Sequence, residues 1–253
     1  MGGPGYTPTE AMTVAAARLL RNGAVCFVGP GLPSAAAYLA RLTHAPDAVL
    51  VCESGAVGVR PLGLATGDDD PASAADAVVP TAEVFRYWLQ GGRVDLGFLG
   101  AAQVDRFGNT NTTAIGGSYE RPALRLPGAG SAPEVAAMAR EVVIVARQDP
   151  RAFVERLDFV TAAGHLDGGD ARRRAGLPGR GPAAVVTDIG VLTPDPASGE
   201  LTLTALHPGV TVEQARAATG WDLEVAGEVA ETAPPEPREL AVLRVLLRRG
   251  LGG

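Results

Sequence analysis

The chain has 253 residues, of which 46% are hydrophobic and 5% aromatic, enough apolar content for one substantial core or for one core with a small appendage. A net charge of −6 argues against non-specific nucleic-acid binding, and because all 22 basic residues are arginines, lysine Schiff-base chemistry is excluded. No apolar run approaches the ~20 residues of a membrane span and no signal peptide is recognisable, so we expect a cytoplasmic protein without a membrane partner.

Helical and extended patterns alternate through the first 150 residues, which is typical of an α/β fold with a mostly parallel open sheet and flanking helices. A glycine-marked stop ends the first helix, and short apolar runs mark the strands. The predicted elements are helix 7–23, strand 24–28, a helix ending near 42, strand 48–52, a solvated loop through 61–71, helix 82–90, strand 94–103, a helix ending near 140 and strand 141–146.

The sequence pattern changes near residue 151. We expect a more antiparallel extension over 151–253, within a single domain that spans 1–253. The predicted elements there are a hairpin-like pair of strands at 183–192 and 201–206, a short helix at 210–220 and an amphipathic helix at 234–249. A connection rich in glycine, arginine and proline at 172–182 is interpreted either as an exposed loop or as a clamp for phosphates or carboxylates.

The chain is organised around an apolar run at 48–52 that is followed at once by Glu53. Burying a carboxylate at the end of a strand is costly unless it is paired, whereas ligands bind at the carboxyl ends of strands in open α/β sheets. Gly55 and Gly58 add no side chains, so another molecule can approach closely. The residues alone leave two interpretations: a solvent-facing loop glutamate, or a nucleophilic or general-base carboxylate.

Three further turns carry candidate binding groups, and the first two of them follow predicted strands. Gly29, Gly31 and Pro33 separate a strand from a helix, a geometry that points backbone N–H groups at an anion, although a plain tight turn is the alternative. The segment 105–112 is polar and marked by glycine, and 126–134 is a second glycine-rich turn that opens a helix. These turns add candidate binding groups beside Glu53.

Five blocks together resemble the β subunits of family I CoA-transferases, over nearly the whole chain. Two of them are similar more narrowly to the glutaconate CoA-transferase-like branch, which includes 3-oxoadipate transferase subunits. The general blocks are Glu-Ser-Gly-Ala-Val-Gly at 53–58, Val-Asp-Leu-Gly-Phe-Leu-Gly-Ala-Ala-Gln-Val-Asp-Arg-Phe-Gly-Asn at 94–109 and Leu-Pro-Gly-Ala-Gly-Ser-Ala at 126–132; the narrower blocks are Gly-Leu-Pro-Gly-Arg-Gly-Pro at 176–182 and Leu-His-Pro-Gly-Val-Thr at 206–211.

The resemblance implies roles for individual positions. The glutamate that matches Glu53 is the family's nucleophile, the turn that matches Gly29, Gly31 and Pro33 lies near the active site, and a later glycine turn presents backbone amides to the reacting carbonyl. The candidates for oxyanion or substrate binding are Gln103, Asn109, Gly130, Ser131 and Ala132. Ser131 replaces the usual glycine, and it would carry ~1–2 kcal/mol of strain if that position needed a positive φ.

The resemblance also implies an α-type partner subunit of similar fold, with acyl-CoA and a carboxylic acid as substrates. Coenzyme A would be a substrate, and no permanently bound cofactor is expected. No metal is expected either, because His44, His165 and His207 are scattered without ligand spacing. His207 is interpreted as a structural turn residue or, alternatively, a catalytic base.

The chemistry expected of this site is covalent exchange. Glu53 would attack a thioester to give a mixed anhydride and a thiolate, which would return to form a γ-glutamyl-CoA thioester; Cys52 should face the core. The alternatives are a hydrolase or ring-opening enzyme on the same fold, and a non-catalytic scaffold or sensor. Four arginines could hold a second carboxylate: Arg60, Arg106, Arg121 and Arg125.

Overall fold

A computed structural model describes residues 5–29, 31–60 and 71–250 of the chain. The solvated loop predicted through 61–71 lies almost entirely outside the described residues. No helix in the described ranges is both long enough and apolar enough to traverse a lipid bilayer.

The described residues form fourteen strands and seven α-helices, together with a 3₁₀ turn at Pro71–Ala74 and a π-helix at Val84–Leu89. The strands are β1 (Val25–Val28), β2 (Val49–Cys52), β3 (Ala56–Val57), β4 (Ala77–Val78), β5 (Leu96–Gly100), β6 (Gln103–Val104), β7 (Thr110–Asn111), β8 (Ala114–Gly117), β9 (Pro122–Arg125), β10 (Glu141–Val145), β11 (Pro182–Val186), β12 (Gly190–Pro194), β13 (Leu201–Leu206) and β14 (Glu224–Glu231). The helices are α1 (Pro8–Ala17), α2 (Leu32–Leu42), α3 (Thr81–Glu83), α4 (Ala132–Met138), α5 (Ala171–Arg174), α6 (Val212–Ala217) and α7 (Pro237–Arg248).

Ten strands form one mixed sheet in the order β14-β13-β12-β11-β10-β5-β1-β2-β3-β4. Its centre is parallel: β1 pairs with β2 and β5, and β10 pairs with β5 and β11. Because the central strands run parallel, the segments that follow β1, β2 and β5 leave the sheet at one edge. The predicted α/β fold with a mostly parallel core is therefore confirmed, and β11 to β13 add the expected antiparallel part.

Two apolar layers cover the two faces of this sheet. Successive side chains of β1 alternate between them: Cys26 and Val28 pack with α1, α2 and α7, whereas Phe27 packs in the opposite layer. This alternation follows from the period of two in an extended strand. Strands that carry apolar residues on both faces, as β1, β2 and β10 do, are buried between layers of other elements.

Several boundaries differ from the sequence predictions. The stretch 183–192, predicted as one strand, is two antiparallel strands, because the chain turns where the Thr187 hydroxyl bonds to the backbone at Gly190. The predicted helix at 82–90 continues as a π-helix at Val84–Leu89. The strands β8, β9 and β14 were missed, since their largely exposed residues carry little apolar alternation.

Candidate active site

Glu53 is the first residue after β2, in a tight turn that leads to the antiparallel β3. The Gly55 N–H donates to the Cys52 carbonyl at 3.0 Å, and the Gly55 carbonyl accepts from the Val79 N–H at 3.0 Å. Gly55 has φ +104°, and a side chain there would collide with the Val79 carbonyl. The turn therefore requires glycine at this position, and it leaves the Glu53 side chain exposed at the end of a buried strand.

Glu53 lines a cavity of about 400 Å³. One carboxylate oxygen lies 3.7 Å from the place where a Cβ on Gly130 would be, so these two predicted site residues are neighbours across the cavity. Most of the wall is apolar or backbone. The lining residues are Gly29, Glu53, Leu99, Gly100, Ala101, Ala102, Thr112, Leu126, Pro127, Gly128, Ala129, Gly130, Ser131 and Ala132.

The carboxylate of Glu53 has no hydrogen-bond or ion-pair partner among the described residues, so both oxygens are available to a ligand. An exposed carboxylate is solvated by water, so what sets Glu53 apart is its place: it follows a buried parallel strand at the edge where ligands bind, and it faces Gly130 across the cavity. This geometry favours the nucleophile or general base over a loop glutamate that merely faces solvent.

The turn opposite Glu53 carries the predicted backbone donors. Gly130 takes the positive φ of +49°, whereas Ser131 has φ −84° and ψ −3°, which any residue adopts, so the serine is not strained. Within the described structure neither the Gly130 nor the Ser131 N–H has an acceptor. The Ala132 N–H already donates to the Ala129 carbonyl at 3.0 Å, so the assignment of Ala132 as an oxyanion donor is corrected.

The glycine loop after β1 reaches the same cavity only in part. Gly29 lines it, and a Cβ there would lie 3.0 Å from the Phe98 carbonyl, which keeps that wall free of a side chain. Gly31, with φ +82°, caps α2, and Pro33 lies in the first turn of that helix close to Gly100. Gly31 and Pro33 are therefore not among the lining residues, and Pro33 packs next to Gly100, which is one of them.

Gln103 and Asn109 are not in this cavity. The Gln103 amide donates to Asp158 at 2.6 Å and accepts from Asn111 at 2.8 Å. The Asn109 amide donates to Asp105 and Leu166 while its oxygen accepts from two backbone N–H groups. The Asn109 side chain is saturated by the chain itself, and the Gln103 side chain uses its oxygen and one of its two amide N–H groups within the chain. Because neither residue lines the Glu53 cavity, their assignment as substrate-binding groups is corrected: they hold strands and loops in place.

Thr112 is a polar lining residue that the sequence analysis did not identify. Its hydroxyl donates to the Gly128 carbonyl at 2.8 Å, and the Gly128 N–H donates to the Thr112 carbonyl at 2.9 Å. These two bonds fasten the turn that carries Gly130 and Ser131. The polar segment 105–112 was recognised in the sequence, but nothing in its pattern marks which of its side chains reaches the cavity.

The remaining candidates lie elsewhere. Cys52 faces the core as predicted, and burial raises the pKa of its thiol to about 11. The His207 ring is buried between the Thr187 carbonyl and the Thr232 hydroxyl, and that burial lowers its pKa, which supports the structural interpretation. No arginine is among the residues that line the cavity; the four sequence candidates, Arg60, Arg106, Arg121 and Arg125, all lie outside it.

In the connection rich in glycine, arginine and proline at 172–182, Arg172 holds neighbouring segments of the chain together. Arg172 is buried, and its guanidinium donates to the backbone carbonyls of Ala136, Ala163, Gly164 and Gly179. Burial lowers the pKa of this guanidinium, and the carbonyls replace its lost hydration. Since the donors of Arg172 are already used within the chain, the interpretation as a phosphate or carboxylate clamp is not supported for this residue.

The family model for coenzyme A transferase matches residues 9–218. Over 96% of this chain and 94% of the relative, the sequence is 58% identical to one of the subunits of 3-oxoadipate CoA-transferase from Pseudomonas knackmussii. The crystal structure of glutaconate coenzyme A-transferase from Acidaminococcus fermentans matches with a TM-score of 0.85 at 32% identity, covering 97% of this chain and 95% of that one. The cholesterol ring-cleaving hydrolase IpdB subunit of Mycobacterium bovis is 29% identical over 95% of this chain and 94% of its own length.

Proposed function

Because the chain belongs to the coenzyme A transferase family, we propose that it is the β-type subunit of an enzyme that moves coenzyme A between an acyl-CoA and a carboxylic acid, with Glu53 as the nucleophile. The observation that carries the proposal is the unpartnered Glu53 carboxylate beside the free N–H groups of Gly130 and Ser131. A nucleophile and oxyanion donors on opposite walls of one cavity are what acyl exchange requires.

The proposed exchange proceeds through two covalent states. A Glu53 oxygen attacks the thioester carbonyl carbon, the C–S bond breaks, and the thiolate leaves behind a mixed anhydride. The thiolate then attacks the glutamyl carbonyl, which releases the free acid and leaves a γ-glutamyl-CoA thioester; the acceptor acid reverses both steps. Each attack places negative charge on a carbonyl oxygen, where one preorganised donor is typically worth ~3–4 kcal/mol.

The turn at 128–131 is suited to stabilising the negative charge that develops on the carbonyl oxygen. The Gly130 and Ser131 amides are held by backbone geometry, so they need no reorganisation as the tetrahedral oxygen develops. The apolar wall, which includes Leu99 and Leu126, lowers the local dielectric and strengthens those hydrogen bonds. It also disfavours water as a competing acceptor, which separates transfer from hydrolysis.

The 58% identity to a subunit of 3-oxoadipate CoA-transferase supports a 3-oxo dicarboxylic acid as the substrate acid. The proposed assembly includes an α-type subunit, since that relative is itself named as a single subunit of its transferase. Coenzyme A enters as a substrate, and the chemistry above needs no permanently bound cofactor. A cytoplasmic location, where acyl-CoA and free acids are both present, is part of the proposal.

Trapping the covalent intermediate tests this function. The co-expressed heteromer, incubated with succinyl-CoA and no acceptor, should carry coenzyme A on the peptide that contains Glu53. Hydroxylamine should inactivate the enzyme only after that incubation, and Glu53→Gln should acquire no adduct. Labelling on another residue, or rapid succinyl-CoA hydrolysis by the wild type without an adduct, would replace the transferase with the hydrolase alternative; binding without either reaction would favour the sensor.

A further inference from the structure

The serine at the start of α4 does not cap its helix. Ser131 occupies the N-cap position, with φ −84° and ψ −3°, and its side chain makes no capping hydrogen bond. Serine is favoured at this position because its hydroxyl usually accepts an N–H of the first turn. The Ser131 carbonyl accepts from the Val135 N–H at 2.9 Å, so the helix holds the backbone of this residue while the hydroxyl takes no part.

The Ser131 hydroxyl has no hydrogen-bond partner among the described residues, although Ser131 is only 7% exposed. In that part of the chain, the one side-chain polar atom that is fully enclosed without a partner is Trp221 Nε1. The Ser131 oxygen is therefore not fully enclosed, and since the residue lines the Glu53 cavity, solvent reaches the hydroxyl through that cavity. Hydroxyls of buried residues are normally hydrogen-bonded, so this one is available to a ligand atom.

The cavity offers few side-chain donors to a ligand. Of its lining residues, Thr112 and Ser131 alone carry a hydroxyl, and an ionised Glu53 carboxylate can only accept. The Thr112 hydroxyl already donates its proton to the Gly128 carbonyl at 2.8 Å. The Ser131 hydroxyl is thus the side-chain donor that stays available within the described cavity.

Ser131 presents two donors to the same space. Its N–H is one of the proposed oxyanion donors, and its hydroxyl is three bonds from that nitrogen, which puts the N and Oγ atoms about 3–4 Å apart. A 3-oxoacyl thioester has two carbonyl oxygens on carbons that are separated by one methylene, so the two oxygens can lie at a similar spacing. A plain acyl thioester has no oxygen at the second place.

We propose that the Ser131 hydroxyl determines specificity: it donates to the 3-oxo oxygen of the substrate acid while the backbone N–H of the same residue faces the thioester oxygen. The proposal rests on the proposed function for the identity of the substrate. An acid without the 3-oxo group leaves the hydroxyl unpaired against a methylene, so it lacks a hydrogen bond that the 3-oxo acid makes.

The test compares two acceptor acids on the co-expressed heteromer, with succinyl-CoA as the donor. The acids are 3-oxoadipate and adipate, which differ only at C3. In Ser131→Ala the ratio of their kcat/KM values, 3-oxoadipate over adipate, should fall about fivefold, the effect of one neutral hydrogen bond. The melting temperature should stay at the wild-type value, because the substitution removes no hydrogen bond of the side chain within the described structure.

Thr112→Val is the matched control, since its hydroxyl is the other one in the cavity but is bonded to Gly128. This variant should slow transfer to both acids alike and leave the ratio of kcat/KM values unchanged. An unchanged ratio in Ser131→Ala, whether the activity toward both acids falls together or stays high, would overturn the role of Ser131 in specificity.

A binding measurement separates this inference from the proposed function. On the Glu53→Gln heteromer, the affinity for 3-oxoadipyl-CoA relative to adipyl-CoA should also fall about fivefold when Ser131→Ala is added. If the wild type formed no adduct on Glu53 but this ratio of affinities fell, covalent exchange would be wrong and recognition of the 3-oxo group would stand. An adduct on Glu53 together with an unchanged ratio would overturn the recognition alone.

Discussion

At the scale of single residues, two neighbours in sequence have opposite environments. Cys52 is 8% exposed and packs in the core, whereas Glu53, the next residue, is exposed at the cavity. The alternation of a strand accounts for this contrast, and the turn at Gly55 preserves it by reversing the chain at once. The proposed nucleophile is therefore positioned by backbone geometry rather than by hydrogen bonds to its carboxylate.

Glu53→Asp should lose most transferase activity and show slow acyl-CoA hydrolysis without a covalent adduct. The shorter side chain withdraws the carboxylate by about 1.5 Å, the length of one C–C bond, and a misplacement of ~1 Å can cost ~100-fold in rate. A water molecule in the vacated space could still be deprotonated. Rates of acyl transfer and of thiol release, measured on the same heteromer, check both expectations.

Glu53→Ala is the control for that substitution, since it lacks any base and should show neither activity. An aspartate variant that transfers coenzyme A at nearly the wild-type rate would contradict the nucleophilic role of Glu53.

At the scale of elements, the site depends on how one turn is fastened to its neighbour. Gly128 has φ +107°, and two reciprocal hydrogen bonds hold it to Thr112. The same turn continues into Gly130 and Ser131, which line the cavity across from Glu53 and whose N–H groups have no acceptor among the described residues. The Thr112 hydroxyl therefore helps to position the proposed oxyanion donors, which are the N–H groups of Gly130 and Ser131.

Thr112→Val should lower kcat about fivefold with a smaller change in KM, because the loosened turn weakens stabilisation of the transition state more than binding of the substrate. A hydrogen bond of this kind is worth about 1 kcal/mol. Thr112→Ser keeps the hydroxyl and should retain most activity, so steady-state kinetics of the two variants form a matched comparison. Equal losses in both would indicate that the methyl group, rather than the hydroxyl, matters.

At the scale of the whole molecule, the first and last helices of the described structure pack together. The helix α7 packs against α1 and α2, with Arg244 donating to Glu10 at 2.6 Å and Arg18 donating to Glu239 at 2.6 Å. The main sheet also runs without interruption from β4 at one edge to β14 at the other. We propose that the chain unfolds as one domain, because separating 151–253 would expose both the sheet edge at β10 and the helical layer.

Arg244→Gln should lower the melting temperature at pH 7, and the difference from the wild type should vanish in acid. The Arg244 guanidinium holds the pKa of the Glu10 carboxyl below its ordinary value of 4.5. A lowered pKa stabilises the folded state above the ordinary value, and this contribution is lost as the pH falls through the folded pKa. Melting curves from pH 7 to pH 3 check this, and a constant difference across that range would contradict it.

The sequence by itself determined the fold class, the position of Glu53 and several helix starts. These features depend on local physics: apolar runs mark the strands, and capping residues such as Thr7 and Thr211 satisfy the first N–H groups of α1 and α6. A carboxylate at the end of an apolar run is unusual enough to be seen without a structure. Resemblance to known transferases then assigned it a role.

Only the tertiary structure decided which polar residues are free. Gln103 and Asn109 occupy strand ends that look suitable for binding, yet their amides donate to partners 55 and 57 residues away in sequence, and neither residue lines the Glu53 cavity. The structure also placed the Gly130 turn opposite Glu53 and left the hairpin at 114–125 uncovered. Hydrogen bonding and burial are set by distant segments that meet in space. Whether a polar group already has a hydrogen-bond partner or is free to bind a ligand therefore cannot be read from its local sequence.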